Sequence, residues 1–165
     1  MSGEARQTQT SRFRIDRVTL DESTVAKRNP EIEQEKSIAI SDLLERNRFQ
    51  PRGSPGGPYH LRISLQENRL VLDMRLKDDA EHGRVLLSLT PFKRLLKEYR
   101  EICDSHYAAM REAPPARIEA IDMGRRALHD EGAQTLMERL KGKIAVDFAT
   151  ARGLFTLICA LSLKG

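Results

Sequence analysis

The stretch from Leu61 to Leu76 leaves this chain few folds to choose from. Leu61, Ile63 and Leu65 alternate with polar neighbours, Glu67-Asn68 interrupts, and Leu70, Leu72, Met74 and Leu76 alternate again. That is the period of strands with one buried face. With Glu67-Asn68 as a two-residue turn, Leu65 faces Leu70 and Ile63 faces Leu72, while Arg62 meets Asp73 on the other side. A slip of one residue would turn every leucine to water, so the register is fixed by the pattern itself. A third strand, Arg84 to Leu89, repeats the alternation with Val85, Leu87 and Leu89 inward. The unit is an antiparallel meander with one wet face.

A meander of this size must bury its apolar face against something else. Four segments have the spacing to supply it. Asn29-Pro30 starts a helix, Asn29 as cap and Pro30 at the first helical position, and Ile32, Ala39, Ile40, Leu43 and Leu44 follow at helical intervals. Thr90-Pro91 opens another, with Phe92, Leu95, Leu96, Tyr99, Ile102, Cys103 and Met110 on one face until Pro114-Pro115. A third covers Ile118 onward and either stops at Gly132 or runs on to Leu140. Asp147 caps the last, Phe148 to Leu163, which is apolar around most of its girth and belongs at the centre of the fold or at an oligomer interface. Phe13 to Leu20 and Ile144 to Val146 read as short strands. Gln50 to Pro58, QPRGSPGGP, reads as a mobile glycine and proline loop.

The expected fold is therefore α+β, a small antiparallel β-meander packed against about four helices. Residues 1–12 are expected to form a disordered tail and residues 13–165 a single domain, large enough to bury a core without staples. The longest apolar run, Leu154 to Leu163, is broken by Thr156 and Ser162 and is too short to span a bilayer, so no membrane is expected and the location is cytoplasmic. Cys103 and Cys159 sit among apolar residues without metal-ligand or redox spacing, which suits buried thiols.

The chemistry concentrates in Ile118 to Gly132, IEAIDMGRRALHDEG. On a helix, Glu119, Asp122, Arg125, Arg126 and His129 fall within about 120° of arc, bordered by Ile118, Ile121 and Leu128. Two readings compete. Asp122 with Arg126 has the favourable acid-first i,i+4 order, and Arg126 with Asp130 repeats the spacing, as in a solvated rim of ion pairs. Alternatively, an imidazole near an arginine and a carboxylate beside the core is a place for acid/base work or anion binding. Asp122, Arg125, Arg126 and His129 are the candidate binding residues. Two arginines beside these acids repel a cation, no metal site is expected, and no motif implies a cofactor.

A net charge of +4, from 28 basic and 24 acidic residues, contains no block of five like charges. The wet sheet face would show Arg62, Arg75 and Arg84, with Lys93, Lys97 and Arg100 on the helix after it. That face carries His60, Ser64 and Ser88 where a sheet-face RNA reader needs stacking aromatics. A protein partner or homo-oligomer is accordingly favoured over nucleic acid.

Five blocks, NPEIEQEKSIAISDLLERN, GPYHLRISLQENRLVLDM, LSLTPFKRLLKEYREIC, IEAIDMGRRALHDEG and GKIAVDFATARGLFTLICAL, together resemble an uncharacterised family of small alphaproteobacterial proteins. The resemblance covers nearly everything after the amino-terminal segment. It implies a bacterial cytoplasmic protein of a family without assigned activity, so it carries over no catalytic residue. In that family a second arginine often follows the Thr-Ala-Arg of the last block, where this chain has Gly153. The sequence thus favours a non-enzymatic binding or protein-interaction module. A small enzyme or anion-binding protein using the stripe from Asp122 to His129 is the alternative, and nucleic-acid binding through the basic sheet face the second alternative.

Overall fold

The computed structural model describes residues 12–23 and 30–163, with side chains outside 106–111. The expected tail through Ser11, the Asn29 cap and the Met110 side chain lie outside those residues. The meander has the register its alternation requires. Strands β3 (Tyr59–Gln66) and β4 (Arg69–Arg75) are antiparallel with Ile63 opposite Leu72 and Leu65 opposite Leu70, and Glu67 takes a φ of 57° in the turn between them. β5 (Glu81–Ser88) extends the sheet antiparallel to β4.

The sheet is larger than a meander. β1 (Ile15–Leu20) adds a fourth strand parallel to β3, giving a mixed sheet in the order β1-β3-β4-β5. Parallel pairing needs a long crossover, and helix α1 (Pro30–Glu45) provides it. The Asn47 side chain clamps the join: its Oδ1 accepts from Ile15 N at 2.7 Å, and its Nδ2 donates to the carbonyls of Ile15 at 2.8 Å and Leu43 at 2.7 Å. β2 (Phe49–Pro51) takes the first residues of the expected loop and pairs antiparallel with β6 (Ile144–Val146). The rest of that loop is pinned, not free. Ser54 Oγ lies 2.5 Å from Tyr59 Oη and 2.7 Å from His82 Nε2, and the carbonyl of Arg12 accepts from Gly57 N at 2.6 Å.

A 3-10 turn at Thr90–Phe92 leads into α2 (Lys93–Glu112). Helix α3 (Pro115–Leu140) runs through Gly132 without a break. Gly132 serves a close approach there: a Cβ on it would lie 2.2 Å from the Phe155 ring. Phe155 belongs to α4 (Phe148–Leu161), whose first turn is capped by Asp147 accepting from Thr150 N at 2.9 Å. α4 packs against both α3 and α1 and touches β3, and its residues from Leu154 to Leu161 are all buried. It is the central helix. No helix among the described residues is long and apolar enough to cross a membrane.

Candidate functional site

α1 brings a carboxylate into the core. Glu35, Ala39 and Leu43 recur every four residues, so the acid stands in line with the two buried positions of its helix. Facing it from α3 are Arg125 and His129, and from α2 comes Tyr99. Tyr99 Oη donates to Glu35 Oε2 at 3.1 Å, Arg125 Nη1 lies 3.6 Å from the same oxygen, and His129 Nε2 lies 3.1 Å from Glu35 Oε1. Arg125 also donates to Asp122 one turn back. Tyr99, Arg125 and His129 thus converge on Glu35, a residue the stripe on α3 gave no hint of, and Asp122 joins through Arg125.

Of the residues singled out in the sequence, Asp122, Arg125 and His129 belong to this cluster. Arg126 does not. It is exposed and makes no ion pair among the described residues, because Asp130 instead accepts from Arg152 on α4 at 2.8 Å. The i,i+4 rim expected from Asp122, Arg126 and Asp130 is therefore replaced by an i,i+3 pair and a bridge between helices. Glu119 also points to solvent.

The environment is aromatic and nearly dry. His129 is 5% exposed, with the Tyr99 ring 5.7 Å away and the Phe155 ring 6.4 Å away edge-on. Burial pushes the Glu35 carboxyl upward. The contact with His129, the charges of His129 and Arg125 and the Tyr99 hydroxyl outweigh it, so Glu35 titrates below its ordinary range. Its carboxylate in turn joins burial in raising the Tyr99 phenol, so Tyr99 stays protonated as a donor. Burial likewise raises the thiols, Cys103 to about 11 and Cys159 well above its ordinary value, which leaves both as inert core residues.

One contact is incomplete. His129 Nε2 and Glu35 Oε1 are close enough to attract, yet neither makes an aligned hydrogen bond, and both atoms are cut off from solvent. Buried polar atoms without aligned partners are rare in folded proteins. Both residues line a pocket of about 270 Å³ between α1, α3 and α4, together with Asp42, Arg46, Arg152 and Thr156. Gly153 shapes its wall, since a Cβ there would lie 2.8 Å from Leu43 Cγ and push α1 away from α4.

The other expected surfaces look different. On the outer sheet face Arg75 is paired with Asp73 at 3.2 Å and Glu81 at 3.6 Å, which neutralises part of the basic patch. Arg62 and Asp73 are cross-strand neighbours, as the register requires, but Asp73 Oδ2 is taken by Arg75, and Asp73 Oδ1 and Arg62 Nε are buried without hydrogen-bond partners. The large exposed apolar side chains among the described residues, Ile38, Leu86, Met123 and Phe148, lie on four different elements. No group of three metal-ligating side chains occurs among the described residues.

Relatives place the chain in a lineage. It is 57% identical over 155 residues to a UPF0262 protein of Nitrobacter hamburgensis, covering 94% of each chain. It is 52% identical over 153 residues to one of Rhizobium etli, covering 93% of this chain and 97% of that protein. No solved structure matches it. Residues 12–164 match the uncharacterised protein family UPF0262, and the chain belongs to that family.

Proposed function

We propose that this chain is a cytoplasmic binding module that holds a small zwitterion of amino-acid size between α1, α3 and α4. The observation that carries this reading is the buried contact of His129 Nε2 with Glu35 Oε1, unaligned at 3.1 Å, in two residues that line a pocket. A ligand that parts the two side chains, offering a donor to Glu35 and an acceptor to His129, would complete both. The charges of the lining set its class. Asp42 and Arg46 line the same pocket, neither with an ion pair among the described residues, so carboxylates and guanidinium groups both face the space. An ammonium group suits Glu35 and Asp42, and a carboxylate suits Arg46, since Arg152 already pairs with Asp130.

Binding fits this pocket better than bond-making. Thr156, the hydroxyl in the lining, donates to the carbonyl of Arg152 at 2.9 Å and is not paired with His129. Titration of the ¹⁵N-labelled protein with pooled free amino acids at millimolar concentrations tests the reading. Amide shifts at Ala39, Ala149 and Gly153, with a shift of the His129 ring nitrogens, are expected, and Glu35→Gln should abolish them. Silence of these signals toward every amino acid, with the protein folded, would sink the proposal.

A further inference from the structure

The outer face of the sheet holds a second histidine with a different geometry. His60 on β3 is 5% exposed, and both its ring nitrogens are engaged. Nε2 lies 2.7 Å from Thr19 Oγ1 on β1, and Nδ1 lies 3.0 Å from Asp79 Oδ1 in the turn before β5. The proton positions follow from chemistry. The hydrogen bond from His60 holds the Asp79 carboxyl below the usual range, aided by Arg17 and Arg62 nearby, so Asp79 is a carboxylate and can only accept. Nδ1 therefore carries the hydrogen, and in the neutral ring Nε2 is a lone pair that accepts from the Thr19 hydroxyl. Thr19 itself is exposed to solvent.

Nucleophile, base and orienting carboxylate in this order make up the arrangement that activates a hydroxyl for acyl transfer, recognisable by geometry whatever the fold. Beside Thr19 is a hollow of about 330 Å³ lined also by Asp21, Arg62, Ser64, Asp73 and Arg84. Of its acids, Asp21 accepts from Ser23 N at 3.1 Å, and Asp73 accepts from Arg75 through Oδ2 while its Oδ1 is buried without a hydrogen-bond partner. Its cations, Arg62 and Arg84, flank Asp73 as its register neighbours on either side, yet Arg84 makes no ion pair among the described residues and Arg62 Nε is buried without a hydrogen-bond partner. Asp79 holds its place at a φ of 61°, a conformation uncommon for anything but glycine, asparagine or aspartate.

We infer that Thr19, His60 and Asp79 form an acyl-transfer site for an ester whose acyl chain ends in a carboxylate. This goes beyond the binding pocket proposed above, and it rests on different residues on the opposite side of the sheet. Thr19 Oγ1 attacks the ester carbon while its proton passes to His60 Nε2, and the carbonyl π pair moves onto oxygen as the new C–O bond forms. Collapse restores the carbonyl, breaks the bond to the leaving alcohol and returns the proton to it. Water then attacks the threonine ester by the same route and releases the free acid. Arg62, the register partner of Thr19, and Arg84 hold the terminal carboxylate. Asp79 is the positioning residue.

4-Nitrophenyl hydrogen succinate and 4-nitrophenyl acetate provide the test. With the full chain, a burst of nitrophenol and a succinyl mass increment on the peptide carrying Thr19 are expected, and Arg62→Gln should raise KM about tenfold for the succinate alone. Thr19→Val should lose the increment, Thr19→Ser should keep it, and His60→Gln should lower the acylation rate by about 100-fold or more. Asp79→Asn, which tolerates the same backbone angle, should lower kcat at unchanged KM, with partial rescue by Asp79→Glu. An absent increment on the folded wild-type protein, or equal labelling of Thr19→Val, overturns the inference, whatever happens at the Glu35 pocket.

Discussion

His60 and His129 are buried to the same degree, and the chain treats them in opposite ways. His60 sits on a sheet face with a hydroxyl at one nitrogen and a carboxylate at the other, both partners near water. His129 sits between three helices against two aromatic rings, 3.1 Å from a carboxylate it does not properly meet. Burial alone therefore says little about what an imidazole is for. What matters is whether its partners finish the hydrogen bonds, because a finished pair orients the ring and an unfinished one leaves a place for a ligand.

The helical surroundings of His129 should dominate stability. Phe155→Ala removes the ring that packs on Phe92 at 6.1 Å, on His129 and on the bare backbone of Gly132. A loss of about 3–5 kcal/mol in urea unfolding is expected. Gly132→Ala sharpens the point through its sign. In an exposed helix this change stabilises by about 1 kcal/mol, but here the new methyl meets Phe155, and a loss of about 1–3 kcal/mol is expected. A stabilised Gly132→Ala would mean that the helices do not approach as closely as described.

These features differ in how readable they are from sequence. The register of β3 and β4 was legible because period-two alternation and a two-residue turn leave one solution. The parallel pairing of β1 was not, since a six-residue edge strand has no local signal for a partner some 40 residues on. His129 could be singled out because it borders Leu128 on an apolar stripe. Glu35 was missed because Glu31, Glu33 and Lys36 make its helix look solvated. The signal was present in the four-residue spacing from Glu35 to Ala39 and Leu43. Arg126 departs from its i,i+4 pairing for a similar reason: that spacing shows which pairs a lone helix can form, and α4 supplies Arg152 as a competitor for Asp130.

Glu35→Gln tests the incomplete pair itself. Removing the carboxylate takes the counter-charge from Arg125 and the close partner from His129, and a loss of about 1–3 kcal/mol is expected at neutral pH. The pH dependence has a defined sign. Because the folded carboxyl titrates below its ordinary value of about 4.3, its contribution is full above that value and fades as pH falls through the lowered folded pKa. Unfolding of wild type and Glu35→Gln measured from pH 7 to pH 2 should therefore converge at the acid end. A gap that stays constant with pH would show that Glu35 acts by shape and not by charge.

On the sheet face the same kind of change should matter less. His60→Gln can keep a polar group toward Thr19, and Asp79 has water to turn to, so the expected loss is about 1 kcal/mol. His129→Gln, measured beside it, should cost more, because its neighbours are aromatic rings and a buried carboxylate. Equal costs would erase the contrast between a finished and an unfinished histidine.

The smallest effect belongs to Arg126, and it separates two adjacent residues of one type. Arg125 turns toward Glu35 and Asp122 with its side chain 22% exposed, whereas Arg126 faces water without an ion pair among the described residues. A solvated arginine with no partner loses little when truncated, since it held no fixed geometry and shielded no charge. Arg126→Ala is expected to change unfolding by less than about 0.5 kcal/mol, while Arg125→Ala strips Glu35 of its guanidinium and should exceed that clearly. Thermal unfolding of the two variants side by side decides the matter. If Arg126→Ala proved the costlier, α3 would have to be rotated from the orientation described, and the approach of Arg125 and His129 to Glu35 would fall with it.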